Sequence, residues 1–93
     1  MVKHIVLFNF KEGVNKDEAA LVAQNALEPL KDKIPGVITL EARRTFAGAD
    51  LCLYSEFESK EAAAFYADHP LHAEAKSKFF PWLDSRVAAD YEI

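Results

Sequence analysis

The segment Val2 to Phe10, with the sequence VKHIVLFNF, constrains the fold more than any other part of the chain. It is rich in β-branched and aromatic residues, which is typical of a β-strand. Successive side chains of a strand point to opposite faces, and the two faces here consist of His4, Val6, Phe8 and Phe10 and of Lys3, Ile5, Leu7 and Asn9. Because both faces are apolar at the centre, this strand should be covered on both sides.

The length of the chain limits how much of that cover it can supply. Its 93 residues, 51% of them hydrophobic, predict a single folded domain spanning residues 1–93 and exclude a disordered or fibrous chain. A domain of this size buries only about 60–65% of its unfolded surface. The single Cys cannot form an intrachain disulfide, so association with a second copy is the common remaining way to gain buried area.

Charge and hydropathy narrow the partners that we expect. A net charge of -4 and a pI of about 5.3 argue against a broad electrostatic grip on nucleic acid. No apolar run approaches the roughly 20 residues needed to span a bilayer. The amino terminus carries no cleavable signal pattern, since Lys3 and His4 lead straight into the first strand. We therefore expect a cytoplasmic protein with neither a nucleic-acid nor a membrane partner.

The first half of the chain predicts a helix followed by a hairpin. Asn15 is suited to cap an amphipathic helix whose apolar positions recur at spacings of three and four residues as far as Ile34. Pro29 should kink this helix or split off its last turn. Two strands follow, Val37 to Phe46 and Leu51 to Phe57, and their short connection predicts an antiparallel pair.

The second half predicts two further helices and a last strand. Ser59 can cap a helix that carries Ala62, Phe65 and Tyr66 on one side, and His69-Pro70 should break it. Pro70 is suited to the first turn of a third helix, which is expected to continue through Leu71, Ala75 and Phe79. Pro81 ends that helix or restarts it as a short turn, and Arg86 to Ile93 form the last strand.

The predicted order is β-α-β-β-α-α-β. Two strand–helix–strand units around a hairpin give an α+β, ferredoxin-like βαββαβ fold with a four-stranded antiparallel sheet. Such a sheet carries helices on one face only, so the other apolar face needs a partner. We expect a homodimer in which two sheets pack face to face.

Three stretches of the sequence carry a resemblance to a known family: VKHIVLFNFKEG near the start, FESKEAAAFYADHPLH in the middle and ADYEI at the end. The most specific piece is Tyr66-x-x-His69-Pro70-x-His72, and His4 after Val2-Lys3 is the second. Over nearly its whole length the chain resembles the stress-responsive dimeric α/β-barrel (Dabb) family. That resemblance implies a dimeric α/β barrel.

The resemblance also implies a site. The family includes a cofactor-free polyketide cyclase, and by similarity its catalytic Tyr and His fall on Tyr66 and His72 and a pocket His falls on His4. A further pocket His falls on Leu51, so that polar contact is absent here. The first helix offers Ala residues where that cyclase has aromatic ones, which implies a pocket of different shape. The ligand-binding residues that we expect are His4, Val6, Phe8, Leu51 and Leu53, around a small apolar or carbonyl-containing ligand and without a cofactor.

Tyr66 and His72 suit acid–base chemistry if the break at Pro70 brings them together. The amino terminus of the third helix should lower the pKa of His72 and keep its imidazole neutral, so that it can accept a proton. The Tyr66 hydroxyl could then donate a hydrogen bond to an enolate, as a cyclase or isomerase requires. The alternative is that both side chains are structural and that the protein is a non-catalytic, stress-related oligomer or sequesters a ligand.

Other groups suggest sites that the sequence does not support. His69 and His72 are spaced like a metal-binding pair, but Pro70 argues against one continuous helix, and only Asp68 or Glu74 offers a third ligand. We therefore expect no metal site and a capping or packing role for His69. Cys52 lies between leucines in the third strand and is expected to be a small buried side chain.

Overall fold

The computed structural model describes residues 1–93 and contains a four-stranded sheet with helices on one face. In chain order its elements are β1 (Val2–Phe10), α1 (Lys16–Leu27), β2 (Val37–Arg44), β3 (Leu51–Phe57), α2 (Lys60–Ala67), α3 (Pro70–Ser77) and β4 (Leu83–Glu92). The strand order is β2-β3-β1-β4, and every neighbouring pair is antiparallel. This is the ferredoxin-like α+β fold that the order of elements predicts.

The helices begin and bend where the sequence predicts. The side chains of Asn15 and Ser59 each accept a hydrogen bond of 3.1 Å from the backbone N–H three residues further on, which satisfies a free donor at the start of α1 and of α2. Pro29 ends α1 because it cannot donate the next helical hydrogen bond, and a 3₁₀ segment, Glu28–Asp32, continues the chain.

The β2–β3 connection is longer than expected. β2 ends at Arg44, whereas the sequence suggested a strand as far as Phe46. The Thr45 hydroxyl donates a hydrogen bond to the carbonyl of Ala49, and this bond closes the turn early. Phe46 is left fully exposed in the connection.

The last strand starts earlier than expected and the third helix ends earlier. α3 stops at Ser77, and Phe79 is fully buried beyond its end. A 3₁₀ turn, Phe80–Trp82, follows and leads directly into the sheet, so β4 begins at Leu83 rather than at Arg86. Pairing with the end of β1 explains this early start. The sequence did not predict it, because the residues that directly follow Leu83 are polar and show no strand pattern.

The core lies between the helices and the face of the sheet that carries Val6 and Phe8. Its largest fully buried side chains include Phe8, Phe57 and Phe79. On α2 the expected inward side is only partly correct: Tyr66 is buried, whereas Phe65 is 53% exposed and packs its ring against His69. Adjacent residues of a helix are separated by about 100° around its axis, so when Tyr66 points toward the sheet, Phe65 points away from it.

The opposite face of the sheet has no cover within the chain. Leu7 is 41% exposed at its centre, and Val87 and Tyr91 on β4 are exposed as well. Cys52 lies on this face and is half-buried, so the expectation of a small buried side chain is met only in part. β1 is therefore covered on one side only, and its second apolar face remains open. None of the helices has the length and apolar character that crossing a membrane requires.

Candidate functional site

A cavity of about 250 Å³ lies between the helix-covered face of the sheet and the helices α2 and α3. Ten of its fifteen lining residues are hydrophobic. The residues predicted from the sequence that border it are His4, Val6, Phe8, Leu53, Tyr66 and His72. A second cavity adjoins it between α2 and β4 and shares Ala63, Ala67 and Asp90 with it. The break between α2 and α3 thus directs the Tyr and the His of the sequence motif to one space.

Tyr66 lies one residue before the end of α2 and is only 3% exposed. Its ring packs against Phe57, with 5.1 Å between the ring centroids. Its hydroxyl is buried and has no hydrogen-bond partner. Burial raises the pKa of Tyr66, so the hydroxyl stays protonated at neutral pH and is available to donate a hydrogen bond.

His72 lies in the first turn of α3, and its Nδ1 is 3.2 Å from the carbonyl oxygen of Ala67. A carbonyl oxygen can only accept a hydrogen bond, so Nδ1 carries the proton of the neutral ring and donates a hydrogen bond to that oxygen. Nε2 then keeps a free lone pair. The ring of His72 lies against the ring of Tyr66, with centroids 4.2 Å apart and planes inclined at 32°.

The surroundings of His72 favour its neutral form. Burial lowers the pKa of His72 below its ordinary value, and the nearby charges of Lys76, His4 and Arg86 lower it further, against the hydrogen bond to Ala67. The lowered pKa agrees with the sequence-based expectation, but burial is its first cause and not the helix terminus. A neutral imidazole with Nε2 unprotonated can act as a base near pH 7.

His4 stands on β1 at the opposite wall of the cavity. The β1–β4 register places it directly across from Asp90, and its Nδ1 bonds to the Asp90 carboxylate. Its ring lies near Phe57, at a centroid distance of 6.4 Å. The carboxylate therefore fixes which way the imidazole of His4 faces.

Leu51 does not line the cavity, which corrects its place among the expected ligand-binding residues. It shares a face with Leu53 but stands at the start of β3, where it pairs with Phe8 and with Arg44 and is fully buried in the core. The resemblance aligned this position with a pocket His, but here the apolar side chain packs into the core.

Three charged side chains at the cavity were not predicted from the sequence: Lys76, Arg86 and Asp90. Lys76 belongs to α3, and the other two lie on β4 opposite Phe8 and His4. The spacing of two between Arg86, Ala88 and Asp90 could have placed them on one face of the last strand. Which face that is depends on the pairing register with β1, and the sequence pattern of β4 does not indicate it.

His69 belongs to the helix junction. Its Nδ1 accepts a hydrogen bond of 3.0 Å from the backbone N–H of Leu71 and thereby caps α3, as the sequence indicated. Its ring packs edge-on against Phe65. No group of three or more His, Cys, Asp or Glu side chains is arranged to hold a metal ion.

Chemically, the residues that line the cavity include a buried, protonated phenol that lacks a partner and a neutral imidazole that has a free nitrogen. The phenol can donate to an oxygen that gains negative charge, and the imidazole can take a proton from a neighbouring carbon. The apolar walls lower the local dielectric and strengthen both interactions.

Comparison with known proteins identifies relatives along the whole chain. The model of a family described as the Stress responsive A/B Barrel Domain matches residues 2–93. The Stress-response A/B barrel domain-containing protein HS1 of Arabidopsis thaliana is 33% identical over 97 residues, which cover 98% of this chain and 88% of that protein.

Solved structures share the fold. A dimeric protein of unknown function with a ferredoxin-like fold from Bacteroides fragilis is 33% identical, with a TM-score of 0.90, over 99% of this chain and 95% of its own. A dimeric ferredoxin-like protein of unknown function from Thermobifida fusca is 25% identical, with a TM-score of 0.85, over 99% of this chain and 90% of its own.

Proposed function

The chain belongs to the stress-responsive A/B barrel domain family, and from this membership we propose that it forms a homodimer with a small-molecule cavity in each protomer. In that cavity Tyr66 and His72 act as a cofactor-free acid–base pair on a carbonyl compound. The reaction class is proton abstraction next to a carbonyl, followed by ring closure or isomerisation.

The buried Tyr66 hydroxyl is the observation that carries this proposal. A hydroxyl removed from water without a partner costs about 1–3 kcal/mol, so a fold that retains it has to offset that cost elsewhere. A ligand oxygen in the cavity would provide the missing acceptor. Because burial raises the pKa of Tyr66, the group donates this hydrogen bond as a neutral phenol.

His72 supplies the base. Its Nε2 takes the proton from the carbon next to the carbonyl, and the C–H bonding electrons move into the C–C bond while the carbonyl π electrons move onto oxygen. The resulting enolate oxygen accepts the hydrogen bond from Tyr66. In a cyclase the enolate carbon then attacks a second carbonyl, whose oxygen takes up the proton held by His72. In an isomerase the enolate is conjugated with a C=C bond and takes that proton at the far carbon of the resulting dienolate.

The homodimer follows from the open sheet face. Leu7, Val87 and Tyr91 leave apolar surface without cover, and a second copy of the same face would bury it by two-fold symmetry. The relatives from Bacteroides fragilis and Thermobifida fusca are dimeric and share the fold. A cytoplasmic location stays a prediction from the sequence.

Hydrogen–deuterium exchange on a simple ketone tests the chemistry without knowledge of the substrate. Phenylacetone in D₂O, followed by proton NMR, should lose its α-protons faster with the protein than without it. His72→Asn keeps a donor for the Ala67 carbonyl but lacks Nε2, so it should lower the protein-dependent rate by about 10²–10⁴-fold. Tyr66→Phe should lower it too, whereas Tyr54→Phe, a hydroxyl on the other sheet face, should not.

The pH profile of this exchange provides a second readout. A lowered pKa of His72 means that Nε2 is unprotonated at neutral pH. The protein-dependent rate should therefore hold as the pH falls to about 6.5, the ordinary His value, and decline only below it. A decline that begins above this value, or an unchanged rate in His72→Asn, would remove His72 as the base.

The second candidate function is ligand sequestration without chemistry, which the predominantly apolar wall of the cavity favours. Phenylacetone would then shift the amide NMR signals of cavity residues while its α-protons exchange at the rate seen in buffer. Shifts without exchange support sequestration, and shifts with exchange support the enzyme.

A further inference from the structure

We propose that the natural ligand of the cavity carries a carboxylate, and that Lys76 and Arg86 hold it at the rim. The inference rests on the proposed function, because it concerns the same cavity and deepens it by naming the ligand class. The class is an apolar acid: a ring or short chain that fills the cavity, with one carboxylate at its polar end.

Lys76 and Arg86 are the two Lys and Arg side chains that line the cavity, and neither has a charged partner. The chain contains 15 Asp and Glu against 11 Lys and Arg, so acidic partners are in excess. Even so, neither cation takes part in an ion pair or in a side-chain hydrogen bond of the chain. Both line the cavity, one from α3 and the other from β4.

Aromatic rings of the cavity wall hold both cations at its edge. The Lys76 ammonium lies 5.4 Å from the ring centroid of Phe80, and the Arg86 guanidinium carbon lies 5.9 Å from that of Phe8. Such contacts favour placing the stems along the wall and leave the N–H donors free. Because Phe8 and Phe80 also line the cavity, the two free charges approach it from different walls.

The charge balance of the cavity remains positive when every charged lining group is counted. Asp90 is the one acidic residue among them, and it already bonds to His4. With His4 neutral the net charge is one positive unit, and with His4 protonated it is two. These cations also depress the pKa of His72, which indicates that their field reaches the interior.

A carboxylate fits this arrangement better than a larger anion. The planar guanidinium of Arg86 presents parallel donors that match the two oxygens of a carboxylate. The one net positive charge of Lys76, Arg86 and Asp90 balances a monoanion, and a volume of about 250 Å³ with apolar walls suits a small hydrocarbon body. The Tyr66 hydroxyl remains free for a carbonyl oxygen elsewhere in the same molecule.

A matched pair of probes tests the inference. The probes are 3-phenylpropanoate and the neutral 4-phenylbutan-2-one, which share the phenylethyl body and differ in whether the polar end is a carboxylate or a methyl ketone. Dissociation constants come from NMR titration of the full-length protein. We expect the carboxylate to bind more tightly, and Lys76→Met and Arg86→Gln each to lower that preference about two- to fivefold, as expected for partly exposed ion pairs.

Lys78→Met is the control, because Lys78 is an exposed lysine on the same stretch of chain that does not line the cavity. It should leave the preference unchanged, and raising the salt concentration should shrink the preference in the wild type. Equal affinity for both probes, or a preference that survives in Lys76→Met and Arg86→Gln, would overturn the carboxylate assignment while leaving the cavity as a binding site. Failure of both probes to bind would overturn the proposed cavity function, and this inference with it.

Discussion

Tyr66 is the residue at which stability and the proposed function are in conflict. Its ring is fully packed and its hydroxyl is not satisfied, so the ring contributes to the core while the oxygen weakens it. An unpaired buried hydroxyl does not stabilise the protein without a ligand, so its presence points to a role in ligand binding.

Tyr66→Phe should therefore stabilise the free protein. The substitution keeps the packed ring and removes a buried donor without a partner, so the free energy of unfolding should rise by about 1 kcal/mol. Urea denaturation monitored by circular dichroism measures it. Tyr54→Phe is the opposite case, because the Tyr54 hydroxyl donates to Glu56 at 2.6 Å and its loss should lower stability. A Tyr66→Phe protein less stable than the wild type would mean that the hydroxyl has a partner.

The residues around the cavity differ in whether the sequence alone could predict them. Tyr66 and His72 were predictable because they belong to one local motif around Pro70. Arg86 and Asp90 were not, because each acquires its place only through pairing with β1. Without the register of that pairing, charged side chains on the last strand are expected to point into solvent.

At the scale of elements, the junction between the 3₁₀ segment after α1 and β2 packs closely against α2. Gly36 adopts a φ of +89°, and a Cβ on it would lie 2.7 Å from the Cβ of Ala62 on α2. Gly48, in the β2–β3 connection, adopts a similar φ of +87° with nothing within 4 Å. The two glycines share one backbone requirement, and only Gly36 adds a close contact.

This difference makes a matched pair of substitutions. Gly48→Ala carries the cost of a left-handed backbone alone, about 1–2 kcal/mol. Gly36→Ala adds overpacking against α2, for a total loss of about 2–5 kcal/mol. Thermal unfolding of both variants beside the wild type measures the gap. Equal losses of stability in the two variants would mean that α2 shifts freely away from Gly36. The wall of the cavity that α2 forms would then be more deformable than its packing indicates.

The elements themselves were largely predictable, because capping residues, prolines and apolar spacing are local signals. β1 and β3 match their predicted bounds, and α1 and α2 start after the predicted caps. One mismatch, the early end of β2, follows from the local Thr45–Ala49 hydrogen bond. The mismatch at β4 depends on a non-local contact, because this strand starts at Leu83 through its pairing with Phe10. Propensity carries no information about such pairing.

At the scale of the whole molecule, the open sheet face is prepared for burial. Its apolar centre is flanked by polar side chains that already pair with one another within the chain, as in Lys3 with Glu56, Tyr54 with Glu56 and Asn9 with Ser85. Burial of this face against a second copy would therefore leave few unpaired polar groups, which removes the main cost of covering it.

The oligomeric state tests this argument most directly. The wild type at micromolar concentration should scatter light with twice the chain mass of 10.4 kDa. Leu7→Lys places a charge at the centre of the open face, where the two-fold axis would bring copies of it close together, so this variant should shift to the mass of one chain. Leu21→Lys is the matched control, because Leu21 is 55% exposed on α1, on the other side of the sheet, and should leave the dimer intact. A wild type with the mass of one chain, or dissociation in both variants alike, would contradict face-to-face packing of the sheets.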